Sequence, residues 1–112
     1  MQIRISGRHL ELTPALRAHI EEKIERFNKY ALEIIDAHVT VGEEKFLYQI
    51  EVSLFGKRLR LTEKSAKEDL YSAIDDVCSR MEKALQRVKD KIKGHRKTSP
   101  KQLFAGDTAE VG

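Results

Sequence analysis

Basic side chains crowd one segment of this 112-residue chain. Between Arg80 and Lys97 there are eight Lys or Arg residues against two acidic ones, Glu82 and Asp90, a net of +6. The whole chain, with 21 basic and 18 acidic residues, carries only +3. Clustered positive charge attracts polyanions, whereas surface charge that only keeps a protein soluble is usually mixed in sign. The segment therefore predicts a contact with RNA or another polyphosphate.

The spacing of this segment is that of a helix. Apolar residues recur in it every three or four positions: Leu85, Val88 and Ile92. The basic side chains then lie on both flanks of the apolar face, with Arg80, Lys83, Arg87 and Lys91 on one and Lys89 and Lys93 on the other. Like charges four residues apart repel, and an external anion would relieve that repulsion. The alternative interpretation is a solvated helix face without a partner.

No catalytic constellation accompanies the basic segment. The histidines fall on different predicted elements without metal-ligand spacing: His9, His19, His38 and His95. There is no Gly-rich phosphate loop, and the adjacent Asp75 and Asp76 face different directions on a helix. Cys78, the single cysteine, lies in an apolar helical pattern and is predicted to be a core residue. We therefore expect no enzyme, no cofactor, no metal site and no small-molecule substrate.

The apolar runs of the chain are short. None approaches the roughly 18 residues of a membrane span, and the opening residues lack the apolar region of a signal peptide. We expect a cytoplasmic protein that contacts no membrane and is a monomer when free.

The first third of the chain predicts a strand and then an amphipathic helix. Residues 1–6 alternate, with Ile3 and Ile5 on one face. Thr13 suits the N-cap of the helix and Pro14 its first position. Apolar residues then recur every three or four positions, so the helix is expected to end near Tyr30.

Three more strands and a second helix follow. Apolar and polar residues alternate in segments 36–41, 48–55 and 57–62, which are joined by links short enough for hairpins. Ser65 and Glu68 have the spacing of a capping box, so the second helix is expected to open there and to stop at Gly94. That helix would measure about 40 Å against about 23 Å for a strand, so its basic last turns should project beyond the sheet.

The element order predicts an α+β two-layer sandwich, β-α-β-β-β-α, with a four-stranded mixed sheet and both helices on one face. Residues 1–97 would form the domain, and residues 98–112, which have no apolar period, a flexible tail or the start of a linker. The other sheet face would be wet and would carry Arg4, Arg58 and Arg60. The predicted core comprises Ile20, Ile24, Ile50, Val52, Ile74, Cys78 and Met81.

Two stretches resemble the ribosome hibernation-promoting factor family, which includes the Y protein associated with stalled ribosomes, and its short type in particular. They are "MQIRISGRHLELTPALRAHIEEKIERF" and "EDLYSAIDDVCSRMEKALQRVKDKIKGHRK". The resemblance covers about residues 1–96 and implies a fold similar to double-stranded RNA-binding domains. It implies a stress-response factor that binds the small ribosomal subunit and its rRNA in the channel for mRNA and tRNA. Such a factor would inhibit translation and stabilise idle, hibernating ribosomes.

The resemblance also assigns residues to RNA binding. By position these are Arg80, Lys83, Arg87, Lys89, Lys91 and Lys93, with His95 and Arg96 after them and, less strictly, Lys23, Arg26 and Lys29 of the first helix. Long members of the family carry a second domain that dimerises ribosomes, and this sequence has no match to it. The chain is therefore either a short-type factor or the N-terminal part of a longer one.

Two other functions remain open from the residues alone. A general double-stranded RNA-binding module reads A-form shape with several separate elements, but such modules usually begin with a helix. A protein-interaction module would use the apolar stripe of the second helix as a coiled-coil surface. The apolar face of the sheet must be buried against another element, so we expect this stripe to pack against the sheet and not against a partner protein.

Overall fold

A computed structural model describes the backbone of residues 1–97 and the side chains of residues 1–92. Its elements, in chain order, are β1 (Gln2–Arg8), α1 (Pro14–Glu25), a 3₁₀ helix (Arg26–Tyr30), β2 (Ile34–Glu44), β3 (Leu47–Gly56), β4 (Leu59–Lys67) and α2 (Leu70–Lys97). The predicted order is confirmed. The predicted tail, residues 98–112, lies outside the described residues.

The four strands form one mixed sheet in the order β1-β2-β3-β4. β1 runs parallel to β2, and the other two pairs are antiparallel. Alternate residues of the two central strands are buried in one cluster with the apolar residues of both helices: Ala37, Val39, Val41, Ile50, Val52 and Leu54. Both helices therefore cover the same face, and the predicted fold class is confirmed.

The predicted core is also confirmed. All seven side chains are at most 7% exposed: Ile20, Ile24, Ile50, Val52, Ile74, Cys78 and Met81. Phe27 and Leu85 join them with no exposed surface. The helical and strand periodicities were sufficient to find these residues because each element has a single covered face.

The start of α1 matches its prediction as well. The hydroxyl oxygen of Thr13 accepts a hydrogen bond from the Leu16 amide at 3.1 Å, and Pro14 is the first helical residue. The α-helix tightens into the 3₁₀ helix at Arg26, and Ala31, with φ of 54°, ends it in the left-handed region.

The predicted start of α2 is wrong. Ser65 belongs to β4, where it pairs with Ile50, and α2 begins only at Leu70. The true cap is Asp69, whose carboxylate accepts hydrogen bonds from the amide and the hydroxyl of Ser72 at 2.9 and 3.0 Å. The long β3 strand offers backbone partners as far as Lys67, and this ladder outweighs a local capping pattern.

Two further boundaries differ from prediction. Gly94 does not stop α2, which continues to Lys97. A single glycine inside a helix costs only about 1 kcal/mol, which the flanking helical turns tolerate. The central strands are longer than predicted, since polar residues at the end of β2 still pair with β3 as far as Glu44 and Leu47.

The sheet has two distinct ends. The β2–β3 turn and the start of α2 lie at one, here named the hairpin end. The β3–β4 turn lies at the other, named the basic end, toward which α2 runs: its Asp76 meets Ser65 late in β4, and its Glu82 meets Tyr30, just before β2. Leu85 is fully buried but Ile92 is 45% exposed. The last turns of α2 therefore project from the sheet, as the sequence predicted.

Candidate nucleic-acid interface

Arg80 is the first basic residue on the flank of α2 that faces β4. Its Nε lies 3.1 Å from Oδ2 of Asp76, one turn earlier, and its Nη1 donates to the backbone oxygen of Lys64 at 3.3 Å. The Ser65 hydroxyl, 2.6 Å from the same carboxylate, is the main cause of a lowered pKa of Asp76, and the charges of Arg80 and Lys67 add to it. The Arg80 guanidinium is thus partly committed to joining α2 to the sheet edge.

The next three basic residues on this flank have no such partner. Lys83, Arg87 and Lys91 are all exposed, and none forms an ion pair with an acidic side chain within residues 1–92. Successive members are four residues apart, a rise of about 6 Å along the helix. We name these three residues the α2 cation line. It presents three charges on one side of a helix that leaves the sheet, and none of them is neutralised by a side chain of residues 1–92.

The acidic residues of the segment do not weaken this line, because both have other partners. Glu82 accepts a hydrogen bond from the Tyr30 hydroxyl at 3.4 Å and lies 3.9 Å from Nζ of Lys29. Burial, followed by the Glu82 charge, raises the pKa of Tyr30, so the phenol stays protonated as the donor. Asp90 accepts a hydrogen bond from the Gln86 side chain at 2.9 Å.

The basic residues predicted on the first helix fall into two groups. Lys23 forms a 2.7 Å ion pair with Asp75 of α2, and Lys29 of the 3₁₀ helix faces Glu82. These two lysines join the helical elements to each other. Arg26 is exposed and has no ion pair with any side chain that the structure describes. Of the three, it has the most freedom to meet an external anion.

The remaining predicted residues lie at the far end of α2. Lys89 is half-buried. Lys93, His95 and Arg96 belong to the helical backbone, but their side chains lie outside the described ones. Their backbone continues α2 beyond Lys91, the last residue of the α2 cation line.

The open face of the sheet holds a group that the sequence analysis missed. Phe55 and His38 meet there edge to face, with ring centroids 5.2 Å apart, and the guanidinium carbon of Arg60 lies 5.7 Å from the Phe55 centroid. The sequence did contain an indication of this, because Phe55 occupies the same alternating face of β3 as the polar residues Gln49, Glu51 and Ser53. Only the strand register brings His38 and Arg60 to it.

Other chemistry in the described part of the chain is sparse. Burial raises the pKa of the Cys78 thiol to about 11, which keeps it in the unreactive protonated form. Within the described residues no three His, Cys, Asp or Glu side chains gather as they would around a metal ion. No helix there is long and apolar enough to cross a membrane.

The fold and this charge distribution define a small α+β domain with a strongly cationic end to its second helix. Residues 3–93 match the family model described as "Sigma 54 modulation protein / S30EA ribosomal protein". The chain belongs to this family. The prediction that it is not an enzyme agrees with this family description and with the name of one relative, ribosome-associated factor Y of Haemophilus influenzae.

Individual relatives agree with the assignment. A ribosome hibernation promoting factor of Azotobacter vinelandii is 34% identical over 91 residues, which are 81% of this chain and 85% of that protein. A ribosome hibernation promotion factor of Bacillus subtilis is 33% identical, over 94% of this chain but only 58% of its own length. The crystal structure of the Thermus thermophilus Protein Y N-terminal domain superposes with a TM-score of 0.73 at 28% identity, covering 79% of this chain and 99% of that one.

Proposed function

We propose that this protein binds the small ribosomal subunit through rRNA in the channel for mRNA and tRNA, and that it thereby inhibits translation and stabilises idle ribosomes. The observation that carries the proposal is the α2 cation line, Lys83, Arg87 and Lys91, exposed and without ion partners among the described residues. The names of the relatives, ribosome hibernation factors, support the ribosome as the partner.

The chemistry of the line suits RNA phosphate. The Arg87 guanidinium can hold two phosphate oxygens at once, and Lys83 and Lys91 supply mobile point charges on either side of it. Binding releases the counterions that RNA condenses, which is favourable at low salt. It also relieves the repulsion among three like charges spaced four residues apart.

The shape of the domain suits a confined site. The last turns of α2 stand clear of the sheet, so they can enter a channel while the sandwich remains at its mouth. A domain held there excludes mRNA and tRNA by occupancy and needs no reaction. Occupancy alone would then produce the proposed inhibition, and no catalytic group would be required.

Charge reversal of the α2 cation line tests the proposal. Arg87→Glu and Lys91→Glu, made singly and together, should each weaken co-sedimentation with the small subunit at least about tenfold. A charge-assisted hydrogen bond contributes about 1.5–3 kcal/mol, and tenfold corresponds to about 1.4 kcal/mol. Inhibition of cell-free translation should fall in parallel. Lys45→Glu, which changes net charge equally at the hairpin end, is the matched control and should retain both activities.

The same variants distinguish lost binding from lost folding. Each single reversal places opposite charges four residues apart on α2, so its melting temperature should be unchanged or slightly raised. The double reversal puts two glutamates four residues apart and gives back part of that gain. Full subunit binding by a folded double variant would reject the α2 cation line as the binding surface and favour a solvated helix face.

A further inference from the structure

Three planar side chains meet on the open face of the sheet, away from both helices. Arg60 of β4 stands directly opposite Phe55 of β3, while His38 of β2 pairs with Ser53 and so lies diagonal to the ring. The His38 and Phe55 rings meet at an interplanar angle of 62°, and the Arg60 guanidinium lies over the Phe55 ring. We name this trio the open-face platform. The core does not need it, because the helices cover the opposite face.

Positive charge gathers around the platform. Arg4 pairs with His38 from the neighbouring strand, and Lys57 and Arg58 form the turn that follows β3. All three are exposed. One carboxylate lies among them, that of Asp36, which pairs directly with Phe55 from β2. The half of the open face nearer the hairpin end is mixed in sign, with Glu44 and Glu51 on the central strands and Lys64 of β4 opposite Glu51. The aromatic and cationic groups therefore share the basic end with the projecting turns of α2.

An aromatic ring on a sheet face with flanking cations has a defined chemical complement. An unpaired nucleobase offers a π-face for the ring and for the guanidinium, and its phosphate offers negative charge to the cations nearby. Duplex RNA cannot supply this, since its bases are stacked inside the helix. An apolar peptide is a poorer fit, because most of the charged side chains around the platform are cations.

We infer that the open-face platform is a second RNA-binding site, separate from the α2 cation line, which takes one unpaired base of single-stranded RNA. Phe55 and Arg60 stack the base, His38 supports the ring from its edge, and Arg58 and Arg4 hold adjacent phosphates. The inference goes beyond the proposed ribosome binding and can fail without it. It would let one domain hold a backbone along α2 and an unstacked base on the sheet.

A single introduced tryptophan tests the platform directly, because the chain contains none. In Phe55→Trp, a short single-stranded oligoadenylate should quench the indole fluorescence saturably, since stacked bases quench it. An abasic oligonucleotide of the same length and charge should leave the fluorescence unchanged. The matched control is Phe46→Trp at the hairpin turn, where the native ring is 89% exposed, and it should show no saturable quenching.

A second variant keeps the test decisive if the tryptophan disturbs the site. Phe55→Leu retains an apolar side chain but not the π-face, and it should bind a labelled oligoadenylate about fivefold or more weakly than wild type, as expected for one lost base stack. Its binding of the abasic oligonucleotide should be unchanged. Lys45→Glu, the charge reversal at the hairpin end, should leave the oligoadenylate quenching of Phe55→Trp in place.

The outcomes separate the two proposals. Equal quenching by abasic and base-bearing oligonucleotides, equal quenching in the Phe46→Trp control, or unchanged affinity of Phe55→Leu would each overturn the platform. If Arg87→Glu abolishes subunit binding while Phe55→Trp is not quenched, the proposed function stands and this inference falls. If subunit binding survives the reversals while only base-bearing oligonucleotides quench Phe55→Trp, the open-face platform stands and the proposed role of the α2 cation line falls.

Discussion

Ile74 and Ile92 are the same residue type on the same helix, but they differ in environment. Ile74 has no exposed surface and lies in the core, whereas Ile92 is 45% exposed on the projecting turns of α2. Ile74→Ala should lower the free energy of unfolding by about 2–5 kcal/mol, because it loses transfer energy and leaves a cavity. Ile92→Ala should change it by less than about 0.5 kcal/mol, the range of surface sites. Urea unfolding of the two variants makes the comparison, and equal losses would contradict this placement of α2.

Cys78 offers a second test at the residue scale. Burial raises the pKa of its thiol from 9.0 to about 11, so the fold disfavours the thiolate. The native protein should therefore react slowly with a thiol reagent at pH 8, and denaturant should accelerate the reaction strongly. The contribution of this thiol to stability should be constant below pH 9 and should fall as pH rises from 9 toward 11, because the thiol ionises there in the unfolded chain but not in the fold. A native rate equal to the denatured rate would contradict the burial.

At the scale of elements, a polar cluster joins α2 to the edge strand β4. The Asp76 carboxylate accepts a 2.6 Å hydrogen bond from Ser65 and pairs with Arg80, which also reaches the backbone of β4. The cluster lies where the helix first crosses the strand. Beyond this cluster α2 extends past the sheet. The first part of the helix therefore covers the sheet, and its last turns form an exposed cationic surface.

Asp76→Asn tests this attachment. The pKa of Asp76 is lowered from 3.8 in the fold, so the stabilisation it provides is present above that value and is lost as pH falls through the lower native pKa. The variant should be less stable than wild type at neutral pH, and the difference should shrink as acid is added. Asp90→Asn, whose partner is the neutral Gln86 amide, is the matched control and should have the smaller effect. A constant difference between Asp76→Asn and wild type from neutral to strongly acidic pH would contradict the assignment.

At the scale of the whole molecule, the sandwich divides its surfaces between folding and binding. One sheet face is filled by the two helices, and Lys23 of α1 and Lys29 of the 3₁₀ helix pair with carboxylates of α2. The α2 cation line and the open face remain available to a partner. Both are richest in cations at the basic end.

The salt dependence of binding tests how many of these cations contact phosphate in the proposed complex. Three contacts from the α2 cation line predict that log affinity for the small subunit falls with log salt at a slope of about −2 to −3, or steeper if Arg26 and the later residues of α2 also bind. Arg87→Glu should make the slope shallower by about 1, because one phosphate contact is lost. Sedimentation binding over a salt series measures both slopes. A slope near zero would exclude a binding surface made of phosphate contacts.

The sequence by itself determined the order of elements, the covered face of each and the position of the basic segment. Periodicity and composition are local properties, so Ile20, Ile74 and the projecting turns of α2 could be recognised from spacing alone. The Thr13 cap was recognisable for the same reason.

The tertiary structure decided which residues were free to act. Ser65 was predicted to cap a helix but entered β4, because a strand ladder is paired with a distant segment that a local pattern does not include. Lys23, Lys29 and Arg80 were predicted RNA-binding residues along with Lys83 and Arg87, but folding placed a carboxylate within 4 Å of each of the first three. Phe55, His38 and Arg60 come from three strands, and only the register joins them. Partners far apart in the chain are set by packing, which spacing along a single element does not encode.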